Sequence, residues 1–206
     1  MNLLLIRHAQ SVGNALGYIQ GRAEYPLSDL GREQARALSA RLQGEDWPLA
    51  AIYSSDQSRA AETAQILADP LGIKVTTDER LREYDFGEMN GIAWRDLEAR
   101  YPEVWLALHE ERVWLPIPGE EGHQAFHDRL AMSLAGITGR HRGKTVAVVS
   151  HGGSLGMILA HLLGLPARRP QPFRFDNASL SRVEVRRWGP VLALLNDTSH
   201  LDEHLI

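Results

Sequence analysis

The chain contains no cysteine. That removes disulfides, thiolate metal sites and cysteine nucleophiles together, and it suits a reducing compartment. No apolar run approaches the ~20 residues a bilayer-spanning helix needs. The amino terminus lacks a basic leader followed by an apolar stretch, so a cytoplasmic protein is the expectation. Neither sign of charge dominates, with 22 Lys and Arg against 26 Asp and Glu. A general nucleic-acid or membrane-surface binder is therefore not expected, though a local cluster of arginines is allowed. Repeats and low-complexity segments are absent. At 206 residues the length suits one well-cored domain.

What is present reads as alternating strands and helices. Strands are expected at Leu3–Ile6, Ala50–Ser55, Ile73–Asp78 and Lys144–Ser150. A helix with Ala35, Leu38 and Leu42 on one face should start at Ser28, a good N-cap. A second, with Ala60, Ala64, Leu67 and Leu71, should be capped by Ser55 or Asp56. A long amphipathic helix carries Phe126, Leu130, Leu134 and Ile137, and an apolar helix is expected over Ser154–Leu165. The last two strands, "SLSRVEV" and "VLALLND", read as an antiparallel hairpin. The pattern predicts an α/β protein, three-layered α/β/α, with a mostly parallel central sheet. Residues 82–122, rich in Trp, Pro and charge with one helical piece around Trp94–Arg100, read as an inserted lid on a single domain.

Two buried-looking strands end in histidine: one at Arg7-His8, the other at His151-Gly152-Gly153. Ligands of open α/β sheets sit at such carboxyl ends. The two glycines would open a helix whose free N–H groups face any anion placed there. Arg59 falls in the first turn of a helix, where a cation opposes the macrodipole unless an anion lies near. Glu83 follows the third strand in "RLREYDFGEMNG". Together these groups define a chemistry. Paired arginines offer forked donors to phosphate oxygens. A neutral histidine can attack phosphorus and carry the phosphoryl group. A second, protonated, can stabilise its oxygens, and a carboxyl group can protonate the leaving alkoxide and then activate water. No metal or other cofactor is required, since fixed cations take over charge neutralisation.

In order, "LLLIRHAQSVGN", "SSDQSRAAETA", "LREYDFGEMNG" and "VVSHGGSL" resemble the signature segments of the histidine phosphatase superfamily, the phosphoglycerate mutase-like fold. The resemblance covers essentially the whole chain. It implies that His8 is the phosphorylated nucleophile and Glu83 the general acid and base. Arg7, Arg59 and His151 would complete the phosphate pocket, with Asn14, the Gln20-Gly21 turn and Gly152 lining it. One departure stands out: the family usually has glycine after the nucleophilic histidine, where this chain has Ala9.

Other signals are set aside. "GRHRGKT" is one residue short of a P-loop and precedes a strand, so it reads as a basic turn. His123 and His127 have a spacing that could bind zinc, yet without H-E-x-x-H a surface pair is favoured. Trp94, Trp105 and Trp114 could line a pocket or simply pack the lid. His200, in "NDTSHL", has no assigned role. The resemblance leaves three readings. A phosphatase acting on small phosphorylated metabolites is favoured, because Tyr84–Glu88 brings acidic and aromatic residues where a mutase would hold a substrate carboxylate with bases. A phosphoglycerate mutase is the alternative, with Arg95, Arg100 or Arg112 supplying those bases. A silent phosphate-ligand binder would need neither the nucleophile nor the acid. The oligomeric state, monomer or homodimer, is open.

Overall fold

The computed structural model describes residues 1–45, 47–111, 113–167 and 172–205. Its first half runs β1 (Asn2–Arg7), α1 (Val12–Ala15), β2 (Tyr18–Ile19), α2 (Asp29–Gly44), β3 (Leu49–Ser54), α3 (Ser58–Ala68) and β4 (Val75–Thr77). Next come β5 (Ile92–Ala93), α4 (Leu97–Arg100), α5 (Pro102–Leu106) and α6 (His123–Arg140). The chain closes with β6 (Thr145–Ser150), α7 (Gly152–Leu162), β7 (Leu180–Arg186) and β8 (Gly189–Asp197).

Six strands form one sheet in the order β4-β3-β6-β1-β7-β8. The first four are parallel, and the β7–β8 hairpin joins β1 antiparallel. Strand side chains alternate between faces, and both faces are covered, which is why these strands read as continuous apolar runs. Leu3, Leu5, Val146 and Val148 pack with Phe126, Leu130 and Leu134 of α6 and Leu155 of α7. Leu4, Ile6, Ala147 and Val149 pack on the opposite side with Leu38 and Leu42 of α2 and Ala60, Ala64 and Leu67 of α3. This is the expected α/β/α layering. The stretch after β4 has no core of its own: Leu81, Tyr84, Met89, Leu97 and Val104 belong to the same apolar cluster as Leu3 and Leu5.

Several local expectations change. Ser28 caps α2 as expected, its hydroxyl accepting from Gly31 N at 3.0 Å, a contact worth about 1 kcal/mol. The cap of α3 is instead Gln57, with no side-chain hydrogen bond, because Asp56 is drawn to Arg82 and Ser55 Oγ to His151. Leu71 lies beyond α3 in a 3-10 turn over Asp69–Leu71, which contains Pro70. The apolar helix starts two residues earlier than expected, at Gly152, and ends at Leu162. Residues 82–122 hold α4, α5 and a π-helical turn at Ala107–Glu111, not one helical piece.

Candidate active site

The sheet register brings the two histidines together. Arg7 on β1 is paired with Ser150 on the neighbouring β6, so the next residues, His8 and His151, leave the sheet side by side. Their ring centroids are 5.1 Å apart. The backbone of His8 is held on both sides: its N–H donates to Ser150 O at 2.9 Å. Its carbonyl accepts from Ala178 N at 3.2 Å and from Asn177 Nδ2 at 3.1 Å.

His8 is buried, and its Nδ1 lies 2.7 Å from the carbonyl oxygen of Ala9. A carbonyl only accepts, so Nδ1 carries the proton and Nε2 keeps a lone pair. Burial first, then the charges of Arg59 and Arg7, hold the His8 pKa well below the usual histidine range. The ring is therefore neutral at neutral pH. Burial and the same arginines hold His151 neutral too. Its Nε2 meets Ser55 Oγ at 2.9 Å, while its buried Nδ1 has no protein partner.

Arg59 is 1% exposed, and burial lowers its pKa to about 10. It remains cationic. Two of its nitrogens donate to Ala23 O at 3.1 Å and Gly21 O at 2.9 Å. Arg7 is likewise lowered by burial, and its Nη1 donates to Phe175 O. Nε of both arginines is buried without a partner. Two desolvated guanidiniums with idle donors are costly unless an anion completes them.

Glu83 approaches from the opposite wall. Its Oε2 accepts from Gly153 N at 2.9 Å and its Oε1 from Tyr84 N at 2.8 Å, so the carboxylate sits at the amino end of α7. Ser11 and Asn14 form a capping box on α1. Asn14 Oδ1 is committed to Ser11 N and to Asn177 Nδ2, which leaves its amide N–H₂ for the cavity. Gln20 is oriented by Ser11 Oγ at 2.7 Å. At Gly21, φ is +47° and a Cβ would come within 2.0 Å of Asn90 Oδ1, so only glycine fits. Arg7, His8, Asn14, Gln20, Gly21, Arg59, Glu83 and Gly152 all line one cavity of about 220 Å³. His151 stands behind it against His8.

Some expected residues lie elsewhere. Trp94 lines the cavity, but Trp114 packs on Tyr84 and Phe86 and Trp105 stacks on His109. His123 sits against Tyr84 and Trp114. His127 turns instead to His161, at 3.0 Å. Among the described residues no three His, Asp or Glu side chains converge as a metal site. Within Tyr84–Glu88 only Phe86 reaches the cavity. Asp85 is spent on Gly87 N and Asn90 Nδ2, so that segment shapes the site through a ring and not through charge. Arg95 is exposed beside Asp96, Arg100 is exposed, and Arg112 lies outside the described residues. Ala9 needs no positive φ; its methyl is buried with Leu27, Ala35 and Ala178. His200 meets Arg41 at 3.3 Å, away from the cavity.

Three supporting residues escaped the sequence reading. Gln57 joins the two walls, accepting from Glu83 N and donating to Gly21 O, both at 2.9 Å. Ser55 fixes His151. Arg129 of α6 donates to the carbonyls of Arg80, Arg82 and Glu83 and forks onto Glu121 with two bonds of 2.7 Å. The only signal for Gln57 and Ser55 was their place inside the "SSDQSRA" segment. Arg129 gave none.

A buried neutral histidine at the carboxyl end of a parallel strand thus shares one cavity with two guanidiniums and a carboxylate. The chain belongs to the histidine phosphatase superfamily, branch 1, whose model matches residues 3–198. It is 35% identical to a Hydrogenobacter thermophilus protein provisionally named phosphoserine phosphatase 2, over 96% of both chains. To a Yersinia enterocolitica protein provisionally named phosphoglycerate mutase it is 34% identical, over 98% of this chain and 95% of the other. Among solved structures, Bacillus stearothermophilus YhfR superposes with a TM-score of 0.86 at 30% identity, covering 98% of this chain and 99% of that one. The alpha-ribazole phosphatase of Shigella flexneri does so at 0.83 and 30%, covering 96% and 97%.

Proposed function

We propose that the chain is a phosphatase that hydrolyses small phosphomonoesters through a phosphohistidine on His8. One observation carries this reading. The Nδ1 bond to Ala9 O leaves His8 Nε2 as a free lone pair, inside a cavity that also holds Arg7, Arg59 and Glu83. The arginines draw in the phosphate dianion. Nε2 attacks phosphorus, the P–O bond to the alcohol breaks, and the Glu83 carboxyl gives its proton to the departing oxygen. The Glu83 carboxylate then takes a proton from water, whose oxygen attacks the phosphohistidine. Inorganic phosphate leaves and Nε2 regains its lone pair. A bound dianion opposes the cations that keep His151 neutral, so it raises the proton affinity of that ring and lets it donate to a phosphoryl oxygen. Asn14, Gln20, Gly21 and Gly152 shape the anion site.

The same reading treats 1–206 as a single domain with 82–122 as its cap, which their shared apolar cluster supports. The substrate is a phosphorylated metabolite, and a cysteine-free chain fits the cytoplasm. No described helix is long and apolar enough to cross a membrane.

The test follows labelled phosphate from substrate. Acid-labile, base-stable label should appear on wild-type protein during turnover and be missing from His8→Ala, which should lose activity by at least about 10³-fold. Undiminished turnover by His8→Ala would falsify the assignment. With 3-phosphoglycerate, rapid isomerisation that depends on 2,3-bisphosphoglycerate and frees little phosphate would replace the phosphatase reading with a mutase.

A further inference from the structure

Beyond the groups that face phosphate, the cavity wall is made of Tyr18, Ile19, Phe86 and Trp94. Trp94 is the unusual one, a large apolar ring left 49% exposed. Its backbone is nonetheless pinned, because Trp94 N donates to Gly17 O at 2.8 Å beside the short β2–β5 pairing. Tyr18 is held too, stacked on Tyr25 with centroids 5.6 Å apart and planes 12° apart. A phenol held by stacking and an indole on a pinned backbone, both at a ligand cavity, are a platform for a flat partner.

The charges of the wall point the same way. Among the described residues, Arg7 and Arg59 are the only guanidiniums that line the cavity, and both belong to the phosphate. Two others stand nearby: Arg82 is paired with Asp56, while Arg22, 3.8 Å from Glu121 and with its Nε unpartnered, lines a separate cavity with Arg82 and Asp85. Inside this cavity a carboxylate on the alcohol half of a substrate would meet Glu83 and no cation beyond the two that hold the phosphate.

We infer that the preferred substrates are monoesters whose alcohol is uncharged and carries a flat ring, seated against Trp94 and Tyr18. Alcohols bearing a carboxylate are discriminated against. This specificity rests on the phosphatase reading above and narrows it.

The test compares four phosphates of aliphatic alcohols, so that leaving-group chemistry stays similar: benzyl phosphate, glycerol 2-phosphate, O-phosphoserine and 3-phosphoglycerate. The kcat/KM for benzyl phosphate should exceed those for phosphoserine and phosphoglycerate by about tenfold or more. In Trp94→Ala the benzyl-to-glycerol ratio of kcat/KM should fall about three- to tenfold, and Trp94→Phe should keep most of it. Faster hydrolysis of phosphoserine or 3-phosphoglycerate than of benzyl phosphate overturns the inference while leaving a phosphatase. So does a ratio unmoved in Trp94→Ala. Phosphate released from none of the four removes the phosphatase reading itself.

Discussion

Which nitrogen of His8 bears its proton decides whether the ring can attack at all. The Ala9 carbonyl at 2.7 Å fixes that choice, and burial among arginines removes the competing protonated form. In the free protein, nitrogen-detected NMR should show His8 as the Nδ1–H tautomer from about pH 8 down to about pH 6, with no titration near the ordinary value of about 6.5. A midpoint near that value would mean that the site does not hold the ring neutral. The five residues at the centre, Arg7, His8, Arg59, Glu83 and His151, were legible because each stands at a strand end, a helix start or within a signature segment. Their supports were not. Ser55 lies 96 residues from His151, and nothing local marks a serine whose hydroxyl is spoken for at that distance. Asp56, read as a cap, looks identical in sequence whether it serves a helix or a distant guanidinium.

Helix α6 does more than cover the sheet. Through Arg129 it gathers three carbonyls of the segment that ends at Glu83, which in the proposed mechanism sets the angle from which the carboxyl group meets a leaving oxygen. Arg129→Lys keeps the charge and loses the fork. It should lower kcat/KM, which reports formation of the phosphohistidine, about ten- to a hundredfold for an alkyl phosphate, which needs a well-placed proton donor. For p-nitrophenyl phosphate, whose leaving group needs none, the loss in kcat/KM should be far smaller. The hydrolysis step, where Glu83 is the base, enters kcat, which can fall for both. Equal losses in kcat/KM on the two substrates would make the clasp merely structural. The helix itself was readable from Phe126, Leu130, Leu134 and Ile137. The role of Arg129 was hidden because an arginine beside such a stripe normally faces water. Short elements were also hidden: β2 and β5 have two residues each, too few for any periodicity to register.

Across the whole molecule, the titrating histidines predict how stability depends on acid. His8 and His151 are held well below the normal range by burial, and His200 is lowered to about 4 by burial and Arg41. Between the folded and unfolded pKa values the unfolded chain binds more protons, so stability falls as pH drops below about 6.5. Each proton on the two buried rings adds a slope of up to about 1.4 kcal/mol per pH unit. The carboxylates of Asp56, Asp78, Asp176 and Asp197 are lowered, so their contribution is lost only in a more acidic window. Urea midpoints should therefore decline between about pH 7 and about pH 5, and inorganic phosphate should restore part of the loss by binding the native form. Midpoints flat over that range would contradict neutral buried rings. The layers and the closing hairpin were visible in the sequence. The strand order was not, because β1 pairs with β6 and β7, more than 140 residues onward, and patterning carries no record of which buried strands are neighbours.

The backbone ties between Gly17–Ile19 and Gly91–Trp94 bear on traffic through the site. They stitch the segment after β4 to the very loop that follows His8, so these two sides of the cavity are one piece of fabric. A jaw hinged at that point would have to tear its own seam at every cycle. That edge of the cavity keeps a standing width, and its frame is the side chains of Tyr18, Ile19 and Trp94.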